Sequence, residues 1–87
     1  MDVSKRIICL TQERWIHIQK HSEMAGKMEK IKEALIKPTI VHQASRDSSV
    51  RYYYKHDKEQ KKYLFVSVKY LNHHGFIITS FYTDTTL

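Results

Sequence analysis

The spacing of apolar residues changes abruptly at Pro38, and no other feature of this 87-residue chain restricts its fold as much. Before that proline, Met24, Met28, Ile31 and Leu35 recur at intervals of four, three and four, which lines them along one side of an α-helix. After it the period is two. Leu64, Val66 and Val68 alternate with Phe65, Ser67 and Lys69, the pattern of a strand whose two faces meet different surroundings. Pro38 itself sets the boundary, because the residue before a proline is pushed out of the α conformation and the helix must stop there. Helical period first and strand period afterwards read as an α+β fold.

The elements can be placed around that boundary. Residues 3–10 form an expected first strand, with Ile7, Ile8, Cys9 and Leu10 buried. Thr11 is a good N-cap and Glu13 falls in the first turn, where the helix dipole favours an anion. Helix one then runs to about His21, carrying Trp15, Ile16 and Ile18, and Ser22 offers an N-cap for a second helix that Pro38 ends. Strands are expected over 39–45, 50–56, 63–71 and 76–83, separated by Arg46-Asp47-Ser48-Ser49, by the charged turn 57–60 and by Asn72-His73-His74-Gly75. Short loops between successive strands imply an antiparallel meander. The expectation is therefore a single domain over 1–87 in the order β-α-α-β-β-β-β. Two N-terminal helices pack on one face of a mostly antiparallel four- to five-stranded sheet.

Charge narrows the partners. Fifteen Lys and Arg stand against nine Asp and Glu, a formal +6 that favours a polyanion, either nucleic acid or an acidic protein. Met1 to Leu10 carries Asp2, Lys5 and Arg6 around a four-residue apolar run, unlike a secretory leader, and no stretch approaches the roughly 20 apolar residues of a membrane span. The single cysteine, Cys9, has no partner for an internal disulfide, which fits a reducing compartment. A soluble, cytoplasmic chain is expected, with no membrane partner, and nothing in the sequence calls for a cofactor.

Two constellations carry candidate chemistry. The first is the sheet face turned away from the helices. On the strand 50–56, Arg51, Tyr53 and Lys55 share one face and Val50, Tyr52, Tyr54 and His56 the other, and the charged set is expected outward. Tyr63, Phe65, Ser67 and Lys69 join them, with Thr79 from the last strand. Such a face suits phosphate contacts and base stacking, and equally an ordinary solvated sheet with charged and aromatic cross-strand pairs. The second is Glu13, His17 and His21, at i, i+4 and i+8 on one helical side. Cleavage of RNA by 2′-hydroxyl attack needs a base, an acid and positive charge, and no metal is obligatory. His17 or His21 can fill the first two roles, and Arg51 or Lys69 the third. The same pair also reads as solvent-facing, as one hydrogen-bonded core histidine, or as zinc ligands. For zinc, the glutamate that follows the first histidine of a zincin helix is here Ile18, and no metal site is assigned.

Taken together, Trp15-Ile16-His17-Ile18, His21-Ser22-Glu23, the helix end Leu35-Ile36-Lys37-Pro38 and the strands Arg51-Tyr52-Tyr53-Tyr54, Leu64-Phe65-Val66-Ser67-Val68-Lys69 and Ile77-Ile78-Thr79-Ser80-Phe81 form a pattern. It resembles the barnase–EndoU–colicin–RelE nuclease superfamily, more narrowly its small phage-type, BrnT-like branch, from about residue 5 to residue 83. The resemblance implies a metal-independent endoribonuclease, typically the toxin of a toxin–antitoxin pair, with catalysis at the edge or concave face of the sheet. It matches the family best at His17, His21 and Thr79, and carries Arg51 and Tyr53 over with them as catalytic positions. Relatives often place an arginine near the end of the last long strand, where this chain has Phe81, so either Arg51 or Lys69 stabilises the phosphate or the activity is lacking. Lys55, Phe65 and Lys69 are the expected RNA contacts, and RNA and a cognate antitoxin the expected partners. The alternatives are a non-catalytic RNA-binding module and a basic protein-interaction domain.

Overall fold

The computed structural model describes residues 6–86. Its elements are β1 (Ile7–Cys9), α1 (Gln12–Gln19), a 3₁₀ turn (Ser22–Met24), α2 (Met28–Ile36), β2 (Ile40–Gln43), β3 (Val50–Asp57), β4 (Lys62–Leu71) and β5 (His74–Thr83). The strands make one sheet in the order β1-β5-β4-β3-β2. The last four form the expected antiparallel meander, whereas β1 lies parallel to β5, pairing Ile7 with His74, Ile8 with Gly75 and Cys9 with Phe76. The expected strand over 3–10 is thus observed at Ile7–Cys9, and residues 3–5 lie outside the described residues.

Local signals explain most of the helix boundaries. Thr11 is extended (φ −70°, ψ 153°) and its hydroxyl accepts the Arg14 N–H at 3.2 Å, satisfying one of the donors that a helix start leaves open. Between α1 and α2 the chain departs from the expected continuous stripe. Gly26 sits at φ +71°, a left-handed conformation that costs a residue without a Cβ little, and it separates the 3₁₀ turn from α2. Ser22 therefore opens only a 3₁₀ turn, and α2 begins behind Lys27 without a side-chain cap. Ile36 is the last residue of α2, and Lys37 (φ −129°, ψ 62°) has already left the helical conformation ahead of Pro38.

The stripe survives the interruption. Met24, Ile31 and Leu35 are buried and Met28 is half-buried, together with Ile18 of α1 and Ala34 of α2, against Leu64, Val66, Val68 and Tyr70 of β4 and Ile77 of β5. Each fully buried aliphatic side chain contributes about 1.5–3 kcal/mol, so this seam between helices and sheet is the main source of stability.

The register of β3 reverses one expectation. Across an antiparallel pair, directly opposed residues share a face. Arg51 opposes Val68, Tyr53 opposes Val66 and Lys55 opposes Leu64, which puts all three on the helix side. Tyr53 is fully buried, and its hydroxyl meets that of Tyr70 at 2.5 Å. The two cations tolerate the helix side because long side chains can lay their stems over apolar surface and keep their charge at its margin. Lys55 Nζ reaches Glu33 of α2 at 4.0 Å, and the Arg51 guanidinium lies 5.3 Å from the centre of the Tyr70 ring. Val50, Tyr52, Tyr54 and His56 consequently occupy the open face. On β5 a bulge opposite Ser67 and Val68 pairs Ser67 with Thr79 and Val68 with Ile77, setting Thr79, Phe81 and Thr83 on the open face as expected for Thr79.

Candidate nucleic-acid interface

The open face is dominated by rings. Phe81 of β5 lies 4.8 Å from Phe65 of β4, centroid to centroid, and Phe65 lies 5.3 Å from Tyr52 and 5.2 Å from Tyr54 of β3. Alternation produces this row: each strand places every second residue on this face, and on three neighbouring strands adjacent positions among these hold Tyr52, Tyr54, Phe65 and Phe81. Centroid distances of 4.5–7 Å are the range in which aromatic pairs attract beyond their area. The row continues at both ends and at one corner into histidines. His21 approaches Phe81 at 6.4 Å, His42 of β2 approaches Tyr54 at 6.1 Å, and His56 approaches Tyr63 at 5.2 Å. His21 and His56 are exposed and His42 is half-buried, so these titratable rings border the face where water and ligands reach them.

Over the row lies a cavity of about 420 Å³, with Phe65 and Tyr54 at its base and Tyr52, Phe81, Ser67 and Thr79 around it. Register places Lys69 of β4 on this face, and its Nζ is 3.2 Å from Asp47 Oδ2. Asp47 also accepts the Ser49 hydroxyl at 2.5 Å and the Ser49 N–H at 2.9 Å. Those Ser49 bonds, with Lys69 behind them, hold the Asp47 carboxyl down at about 2. Lys69 therefore presents its charge as part of an ion pair at neutral pH.

The expected catalytic set is only partly assembled. Thr79, Phe65 and Lys69 share the open face, and His21 stands at its border. Arg51, Tyr53 and Lys55 are on the opposite side of the sheet. His17 is exposed on the outer side of α1 beside Glu13, Arg14 and Lys20. The i, i+4 relation between His17 and His21 does not hold as a helical face, because α1 ends at Gln19 and His21 is extended (φ −77°, ψ 113°). His42 does not replace His17, since β5 and β2 are three strand spacings apart, about 14 Å, too far for two groups to act on one phosphate. Sequence reasoning missed Tyr52, Tyr54 and His42 as members of the face. Their signal was present as the complementary alternation of β3 and the period of β2.

Among the described residues, no cluster of three or more His, Cys, Asp and Glu side chains is placed to hold a metal ion, and no helix is long and apolar enough to cross a membrane. Compared with protein-family models, with curated proteins and with solved structures, the chain matches none.

Proposed function

We propose that the open face of the sheet binds single-stranded RNA. The observation that carries this reading is the unbroken row from His21 through Phe81 and Phe65 to Tyr52, Tyr54 and His42, spanning four strands. Bases stack on aromatic faces without regard to sequence, at about 1–3 kcal/mol per base, and the bordering imidazoles and the net +6 of the chain supply attraction for phosphates. Paired bases hide their faces inside a duplex, so the row favours unpaired strands.

The test is fluorescence anisotropy with a labelled single-stranded RNA and with its duplex. Expected are preference for the single strand, affinity that falls steeply with salt, and a loss of about tenfold or more on Tyr52→Ala or Phe81→Ala. Equal binding of duplex and single strand would remove stacking from the account. No binding to any RNA would turn attention to an acidic protein partner.

A second reading, a metal-independent endoribonuclease acting as the toxin of a toxin–antitoxin pair, is favoured by one contact. The His21 ring, just ahead of the 3₁₀ turn, stands beside Phe81, which shares β5 with Thr79. There an imidazole can take the 2′-hydroxyl proton while that oxygen attacks phosphorus, and the bond to the 5′-oxygen breaks as that oxygen takes a proton from water. Incubation with RNA in the presence of a chelator should then leave 2′,3′-cyclic phosphate and 5′-hydroxyl ends. His21→Ala should lower the rate on the order of 10²-fold, and His17→Ala should change it little. Loss in His17→Ala alone would contradict the placement of the site.

A further inference from the structure

We propose that the cavity on the open face is a receptor for one unstacked nucleobase, taken as a neutral planar ring with its phosphates left outside. This rests on the RNA reading and adds to it a fixed site within the row. The base of the cavity is aromatic: Phe65 is 8% exposed and Tyr54 3%, so both serve as floor, while Phe81 and Tyr52 are half-buried and stand at its sides. The volume, about 420 Å³, lies within the roughly 300–1,000 Å³ of sites that enclose small ligands, and suits one base with its sugar at the mouth.

The polar groups are all hydroxyls. Ser67 Oγ and Thr79 Oγ1 come from directly opposed residues of β4 and β5, and among the described residues neither takes part in a hydrogen bond within the chain. Ser80, which faces the helices, differs: its hydroxyl donates to the Phe65 carbonyl at 2.7 Å. A hydroxyl both donates and accepts, so the two can meet the edge of any base, and among the described residues no charged side chain lines the cavity. A phosphate drawn inside would lose its water and find no cation there, whereas a neutral ring loses little. The segment after β5 closes one side. The Thr83 hydroxyl donates to the Thr85 carbonyl at 3.3 Å and accepts the Thr85 N–H at 3.4 Å, turning the backbone so that Thr85 and Thr86 flank the opening.

A receptor for one base and a plain stacking surface differ in how affinity grows with the number of bases. The experiment compares three labelled RNA hexamers with the same backbone: all six sites abasic, one base retained, and all six bases present. A single receptor within the row predicts that the first base tightens binding at least tenfold over the abasic strand, and that each of the other five adds clearly less than the first. Thr79→Phe, which fills the cavity, should bring the one-base hexamer to the affinity of the abasic one. Thr79→Val keeps the shape and removes the hydroxyl, and should lose part of the same increment even if the larger substitution fails to fold. Equal increments from each base, or a full one-base increment in both variants, would overturn the receptor and leave the RNA reading standing. Absence of binding by all three hexamers would overturn both.

Discussion

Adding one methyl group at Gly75 should test the packing of the whole β1 edge. Gly75 pairs with Ile8 of β1 on one side and Tyr70 of β4 on the other. A Cβ built there would lie 2.5 Å from Ile8 Cδ1, 2.9 Å from Tyr70 Cε1 and 2.9 Å from Val68 Cγ1. Gly75 does not have a positive φ, so Gly75→Ala carries no backbone strain and its effect is steric alone. The three neighbours yield to different degrees. Ile8 Cδ1 ends a flexible side chain and can swing away. Val68 has one preferred rotamer on a crowded face, and the Tyr70 ring is tied through its hydroxyl to Tyr53 at 2.5 Å. Overpacking of this kind costs about 1–3 kcal/mol, and two stiff neighbours out of three put the expected loss at about 2–3 kcal/mol. In a domain of this size that lowers Tm by roughly 10–20 °C, measured by thermal and urea melts followed by circular dichroism. Ile8→Val, which removes Cδ1, should cost about 1 kcal/mol alone but relieve part of the Gly75→Ala loss, giving a coupling of at least about 0.5 kcal/mol. A Gly75→Ala protein within about 0.5 kcal/mol of the parent would refute the reasoning, because the β1 seam would then have slack.

Three other predictions follow from the charges and hydroxyls. The buried Asp57 carboxylate accepts the Tyr82 hydroxyl at 2.8 Å and the N–H groups of Glu59 at 3.0 Å and Gln60 at 3.3 Å, so Tyr82→Phe should lower the urea midpoint by the equivalent of about 1–2 kcal/mol. Burial alone would push the Asp57 carboxyl up, but the Tyr82 hydroxyl, the Gln60 and Glu59 N–H groups and the charge of Lys30 outweigh it and hold it below its ordinary range; Asp47 is held at about 2. Both carboxylates therefore stabilise the fold above about pH 4 and lose that contribution as pH falls towards 2; equal urea midpoints at pH 7 and pH 2.5 would contradict this. Arg51→Ala should change RNA affinity by no more than about twofold because Arg51 faces the helices, and a loss comparable to that of Tyr52→Ala in anisotropy titrations would place RNA on the wrong side of the sheet here.

The sequence was most legible where one face of an element is buried. The stripe from Met24 to Leu35 and the alternation of Leu64, Val66 and Val68 each announced an element and its inward side, because apolar burial leaves its period in the residues. Pro38 and Thr11 marked boundaries through backbone chemistry that acts within a few residues. The β3 strand was illegible for a physical reason. Both of its faces carry tyrosines, and its charged residues reach the margin of the helix layer, so rank by polarity chose the wrong side. Only pairing with β4, Tyr53 opposite Val66, fixes the register. The pair of histidines failed similarly. Their i, i+4 spacing is meaningful only on a continuous helix, and α1 ends at Gln19, before His21.

The parallel pairing of β1 with β5 has a kinetic meaning. Within the meander, β4 and β5 are joined by Asn72 and His73 alone, so that hairpin closes over a few residues. Ile7 meets His74 only after 67 intervening steps of chain (74 − 7), a closure whose length-dependent entropy is about 4 kcal/mol. Of the strand pairings in the sheet, that of β1 with β5 thus closes the longest stretch of chain. Until residues 74–76 appear, Ile8 has no strand beside it, and the outer edge of β5 waits uncovered after the rest of the sheet has formed. Pairing of the β1 edge is expected to follow closure of the meander, because a non-local contact pays its loop entropy before it gains its bonds.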